Sequence, residues 1–221
     1  MVLPRDVLRN GERPPLPVSE GVPCSPSISL VGLSPQGLAA VARLSRLGFR
    51  IVGVDGSVAT VDALKRGRAS CGAAHLDRWL DEGVRHARID ATHNLTGAIL
   101  ETSVTIVTGQ EGSEPCHGRP STGLAQVFRG IGMALALKQG FHVVLLEEPG
   151  RLGDMARDIE AASGKRVGLG FGLCVVQQLA SAGPAPRQMR VSAASDALTQ
   201  RIASAILGGL QDTYARASAS G

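Results

Sequence analysis

The sequence predicts an α/β fold: a doubly wound, mostly parallel sheet with helices on both faces. Three observations carry that prediction. Strand-like and helix-like stretches alternate from residue 28 onward, the order that builds parallel sheets through βαβ crossovers. Strand-like runs such as Val143–Leu146 are apolar throughout, as a strand covered on both faces must be. The chain also pairs 28 glycines with only 3% aromatics, which suits tight turns and argues against a β-sandwich or an aromatic platform for single-stranded nucleic acid. With 221 residues, 43% of them hydrophobic, one domain with an appendage is expected.

The appendage is residues 1–27, which hold six of the 12 prolines (4, 14, 15, 17, 23 and 26). Such a segment cannot propagate a helix or a ladder, so a Pro-rich extended or disordered arm is expected, with a docking peptide for a partner as its functional alternative. Residues 28–221 are expected to form the domain. Ile28–Gly32 reads as a strand ending in glycine. Leu38, Val41, Ala42 and Leu44 recur at helical spacing between Gly37 and Gly48, with Gly48 as the helix stop. Arg50–Asp55 is a second strand, and Ser57 caps a helix over 58–66.

Further along, the pattern predicts a helix over 73–82, a short strand at 87–89 and a helix over 92–100. The β-branched run Ser103–Thr108 is a strand. After a loop at 109–120, Ser121 or Thr122 opens a helix to Gln139. A strand at 142–147, a helix at 152–162, a sixth strand at 166–171 and a seventh at 189–192 follow. A closing helix over 194–215 carries the stripe Leu198, Ile202, Ala205, Ile206 and Leu210, expected to pack on its own sheet rather than on a second chain.

One motif carries chemistry. Gly32-Leu33-Ser34-Pro35-Gln36-Gly37 joins the first strand to the first helix, and Asp55 ends the second strand 18 residues after Gly37. This is the layout of a Rossmann-type dinucleotide fingerprint: glycines let a pyrophosphate approach the helix start, and an acid receives the ribose hydroxyls.

Here the sequence resembles the N-terminal domain of the UDP-glucose/GDP-mannose dehydrogenase family. The similar stretches are Ile28–Leu33, Gly48–Asp55, Val61–Gly67, Thr92–Val107, the helix at 118–137, Val143–Gly150 and the tail from Gln188 to Leu210. The resemblance implies a Rossmann-type fold and kinship with enzymes that oxidise the C6 alcohol of a nucleotide sugar to a carboxylate using two NAD. It also implies that Gly32, Ser34, Gln36, Gly37, Asp55 and Gly109 occupy the cofactor-binding positions.

The departures from the family pattern decide the functional reading. Ser34 stands at the second glycine of the fingerprint, and Pro35, which has no N–H, follows it; together they suit a helix start better than an anion site. The family's VGTP falls at Thr108–Glu111, its RST at Leu146-Glu147-Glu148 and its TTD at Ala91-Thr92-His93. The segment with the family's catalytic Glu falls at Gly172–Leu179, which puts Cys174 in that place. The family's nucleophile belongs to a sugar-binding C-terminal half that has no counterpart in this sequence.

The expectation is therefore a degenerate relative with no catalytic residues and with weak NAD binding or none. It would serve as a binding or regulatory partner in surface-polysaccharide synthesis. Two alternatives stay open: a nucleotide-sugar 6-dehydrogenase activity completed by another subunit, and a module for another small ligand in the crevice. A protein partner is expected, with a homodimer as one form of it.

Other classes are disfavoured. The net charge is +4, from 23 basic and 19 acidic residues, and the one short basic cluster, Lys65–Arg68, suits a helix end, so no nucleic acid is expected. Cysteines at 24, 71, 116 and 174 and histidines at 75, 86, 93, 117 and 142 make no metal spacing and read as free thiols and isolated imidazoles. The longest apolar run, 131–146, is cut by Lys138 and Gln139, short of a membrane span. With Asp6, Glu12 and Glu20 near its start, the chain is not expected to open with a signal peptide. A cytoplasmic protein is expected.

Overall fold

A computed structural model describes residues 26–70, 74–108, 122–147, 152–179 and 188–218. The expected arm before residue 26 and the loop at 109–120 lie outside these residues. Seven strands form one sheet in the order β3-β2-β1-β4-β5-β6-β7. They are β1 (Ile28–Val31), β2 (Ile51–Val54), β3 (Ile89–Thr92), β4 (Val104–Val107), β5 (His142–Leu146), β6 (Phe171–Leu179) and β7 (Gln188–Ala194). The first six pair in parallel, with Ile28 level with Ile51 on one side and Val104 on the other. Only β7 runs antiparallel, against β6.

The helices are α1 (Pro35–Arg46), α2 (Val58–Lys65), α3 (Ala74–Arg85), α4 (Leu95–Glu101), α5 (Thr122–Leu137), α6 (Leu152–Ser163) and α7 (Ala197–Ser218). Both faces of the sheet are covered. On one face Leu38, Val41 and Leu44 of α1, Leu80 of α3 and Ile206 of α7 pack on Ile28, Leu30, Ile51 and Val143. On the other, Ile99 of α4, Phe128 and Ile131 of α5 and Ile159 of α6 pack on Val31, Val107, Val144 and Leu146. Each fully buried aliphatic side chain contributes roughly 1.5–3 kcal/mol, so the apolar residues that strands and helices bury together are the main source of the fold's stability.

Local chemistry sets the helix starts. Ser34, Ser57 and Asn94 accept from the amides of Gly37, Thr60 and Gly97 at the starts of α1, α2 and α4. Asp196 does the same for α7, accepting from the Leu198 and Thr199 amides at 3.1 Å.

Four expectations need correction. Residues 166–171 are not the sixth strand. Gly164 and Gly168 take positive φ, and Gly170 donates its amide to the Arg166 carbonyl at 2.9 Å, so the chain turns there and β6 begins at Phe171. The third strand lies at 89–92 rather than 87–89, because Ala87 sits at φ 54 in the turn after α3. Thr92 accordingly ends β3, and α4 starts only after Asn94. The closing helix starts at Ala197, since Ala194 still pairs with Cys174. Its buried stripe is Thr199, Ala203, Ile206 and Leu207, while Ala205 is exposed and the side chain of Leu210 lies outside what the structure describes. That stripe packs on this chain's own sheet.

Candidate functional site

The strand order reverses at β1. The chain leaves β1 toward β2 on one side and returns to β4 on the other, which opens a crevice at the C-terminal ends of these two strands. The turn from Gly32 to Gly37 and the residue Thr108 meet there. Gly32 takes φ +96, and a Cβ on it would come 2.9 Å from the Thr108 hydroxyl. That hydroxyl donates to the Gly32 carbonyl at 2.8 Å and is buried. A Cβ on Gly37 would collide with the Gly32 carbonyl oxygen. Both glycines are thus required by packing alone: one for its backbone angle, the other for the close approach of α1 to β1.

Three amides of this turn, those of Gly32, Leu33 and Gly37, are engaged from within the chain. Gly32 donates to the Val54 carbonyl at 3.0 Å. Leu33 donates to Asp55 Oδ2 at 2.9 Å, Gly37 donates to Ser34 Oγ at 3.3 Å and Leu38 to the Ser34 carbonyl at 2.8 Å. Pro35 has no N–H to give. A phosphate bound at a helix start is held by such amides and by the helix dipole, so an anion arriving here competes with a serine hydroxyl and a carboxylate.

Asp55 sits at the centre of three turns. Its Oδ1 accepts from the Ser57 amide at 2.8 Å, and its Oδ2 from Leu33. Its carbonyl accepts from His93 Nδ1 at 3.0 Å. One residue therefore ties the β1–α1, β2–α2 and β3–α4 connections together.

The structure brings Gly32, Ser34, Gln36, Gly37 and Asp55 to one end of the sheet, while Gly109 and Glu148 lie outside the described residues. Glu147 follows β5, and its amide donates to the Val107 carbonyl at 3.1 Å. Cys174 lies inside β6, fully buried, and burial pushes its thiol up to about 11; a thiol held protonated in this way is no nucleophile. His142 is likewise internal. No cluster of His, Cys, Asp and Glu among the described residues could hold a metal ion. No helix among them is long and apolar enough to cross a membrane.

Sequence reasoning missed Thr108 as the residue that closes the turn, and missed both amides held by the Asp55 side chain. It also missed the far end of the sheet, where Lys138 grips three carbonyls at the end of α4. Apart from the Ser57 amide, two residues from Asp55, nothing in local spacing marks these contacts, because their partners lie 22 to 77 residues apart.

Comparison with known proteins fits this geometry. No family model matches the chain. A GDP-mannose 6-dehydrogenase from Azotobacter vinelandii is 32% identical over 160 residues, covering 67% of this chain and 35% of that protein. The corresponding enzyme of Pseudomonas aeruginosa is 28% identical over 158 residues, covering 66% of this chain and 34% of the enzyme. The chain thus spans about a third of the length of these curated relatives. Among solved structures, a ternary complex of GDP-mannose dehydrogenase from Pseudomonas aeruginosa superposes with a TM-score of 0.72 at 24% identity, over 81% of this chain and 43% of that one. A UDP-glucose dehydrogenase from Pyrobaculum islandicum gives 0.69 at 20% identity, over 90% and 46%. At those identities the structural likeness speaks for the fold.

Proposed function

The chain is a relative of the N-terminal NAD-binding domain of nucleotide-sugar dehydrogenases, and from that premise we propose that it acts without catalysis. In this reading it is a cytoplasmic binding or regulatory partner in surface-polysaccharide synthesis and works through another protein. The observation that carries the reading is the self-satisfied phosphate turn: Ser34 takes the Gly37 amide, Asp55 takes the Leu33 amide and Pro35 offers none. The polysaccharide setting rests on the kinship alone.

A double variant, Ser34→Gly with Pro35→Ala, removes the internal acceptor and returns one amide to the turn. Titrated with NADH beside the unaltered chain, it is expected to bind where the unaltered chain does not. Equal behaviour of the two chains would refute the proposed cause. Reduction of NAD by the unaltered chain in the presence of GDP-mannose or UDP-glucose would refute the non-catalytic reading itself.

A second reading has one observation in its favour. Gly32, Gly37 and Asp55 keep the spacing and placement of a cofactor site, and a carboxylate offers about four acceptor positions, of which the backbone uses two here. In that reading Asp55 still receives ribose hydroxyls, and another subunit completes an NAD-dependent dehydrogenase. Its signature is hydride transfer that appears only when a second protein is added.

A further inference from the structure

At the N-terminal ends of the strands, far from the crevice, exposed aliphatic side chains gather at one corner. They are Leu100 (42% exposed), Met133 (60%), Leu137 (66%) and Leu169 (75%). A chain of contacts ties them together. Lys138, next to Leu137, reaches the Leu100 carbonyl at 3.0 Å. Lys165 reaches the Lys138 carbonyl at 2.6 Å, and the turn that carries Leu169 packs Gly170 on the Lys165 side chain. Met133 lies one helical turn before Leu137 on the same side of α5. The two ammonium groups at this corner already grip carbonyls, and Glu101, next to Leu100, is paired with Arg50 at 3.5 Å, so the charges around the aliphatic groups are already partnered. Four exposed aliphatic groups gathered in this way offer a surface on which an apolar segment can lie.

The polypeptide enters the domain at the same corner. Ser27 Oγ donates to the Glu101 carbonyl at 3.3 Å, and the Ser27 carbonyl accepts from the amides of Ser103 and Val104 at 3.0 and 3.2 Å. The chain before Pro26 therefore starts beside Leu100. Its last dozen residues interleave Leu16, Val18 and Val22 with Pro14, Pro15, Pro17 and Pro23, a composition suited to laying aliphatic groups and proline rings on an apolar surface. At ~3.3 Å per residue, ten residues reach across two helices packed ~10 Å apart. Tethering supplies an effective concentration in the millimolar range, which a free partner lacks.

We propose that residues 14–25 cover the apolar corner formed by Leu100, Met133 and Leu137 of the same chain. The arm is then an intramolecular cover rather than a free docking peptide. The inference does not depend on the fate of the cofactor crevice.

The test places p-benzoylphenylalanine at position 133 or at position 137 of the full chain, both exposed sites, and photolyses the dilute protein. The expected result is an intrachain cross-link to peptides within residues 14–25. Replacing Leu16 and Val18 by Ser should lower its yield several-fold. Cross-linked dimers would overturn the proposal in favour of a second copy. A monomer with no cross-link to the N-terminal segment would overturn it outright.

Discussion

The two ends of the parallel sheet solve the same problem with opposite chemistry. At the N-terminal ends of the strands, the exposed groups are carbonyls of helix C-termini, and lysines fill them. Lys138 Nζ donates to Ile99, Leu100 and Thr102 carbonyls at 2.8, 3.0 and 2.6 Å, and Lys165 closes the end of α5. Beneath them runs a buried polar chain from Ser29 to Thr105 to His142, with contacts of 2.7 and 2.8 Å. At the C-terminal ends, the exposed groups are amides of helix N-termini, and Ser34 and Asp55 fill them. Cations at carbonyl ends and acceptors at amide ends both suit the helix dipoles. On the proposed reading the difference is functional: closing the carbonyl end only stabilises the fold, whereas closing the amide end takes up donors that a dinucleotide phosphate would need.

The largest effect expected from this contrast comes from His142. Its ring is fully buried; Nδ1 makes no hydrogen bond of good geometry among the described residues, and only the nearby Thr102 backbone favours its charged form. Burial, and then the charges of Lys138 and Lys165, lower its pKa to about 3 from the ordinary 6.5. The unfolded chain takes up a proton as pH falls through 6.5, while the folded chain resists until about 3. Stability is therefore complete above the higher value and is lost as pH falls toward the lower one, by on the order of a few kcal/mol. In denaturant melts from pH 7 to pH 5, where most carboxylates stay ionised, His142→Asn should flatten the fall seen in the unaltered protein. Parallel curves would remove His142 from the account.

Next in size is Lys138→Met, which strips three carbonyls of a charged donor and should cost about 2 kcal/mol in denaturant unfolding. Asp55→Ala at the opposite end should cost less, about 1 kcal/mol, because the Leu33 and Ser57 amides lie close enough to water to be resolvated. A larger loss for Asp55→Ala than for Lys138→Met would invert the ranking of the two ends.

How much of this was legible in the sequence follows from the range of each contact. The unit β1–α1–β2 could be read closely, because apolar strands, the Ser34 cap, Pro35 at the first helical position and Gly48 after α1 are all local features. The β6 strand was misplaced for a physical reason. Arg166–Phe171 alternates like a strand, but Gly164 and Gly168 adopt positive φ and fold it into a turn. The crevice residues were nameable from spacing, yet their state was not. Whether Asp55 faces a ribose or a backbone amide depends on Leu33, which is 22 residues away. The grip of Lys138 spans 36 to 39 residues and leaves no periodic trace.

Calorimetric titration of the unaltered chain with NAD and NADH at millimolar concentration shows whether Ser34 and Asp55 keep the amides of the turn from a phosphate. No saturable heat is expected with either nucleotide. A dissociation constant in the micromolar range would contradict that, because Ser34 and Asp55 would then have to yield those amides to a phosphate at little cost.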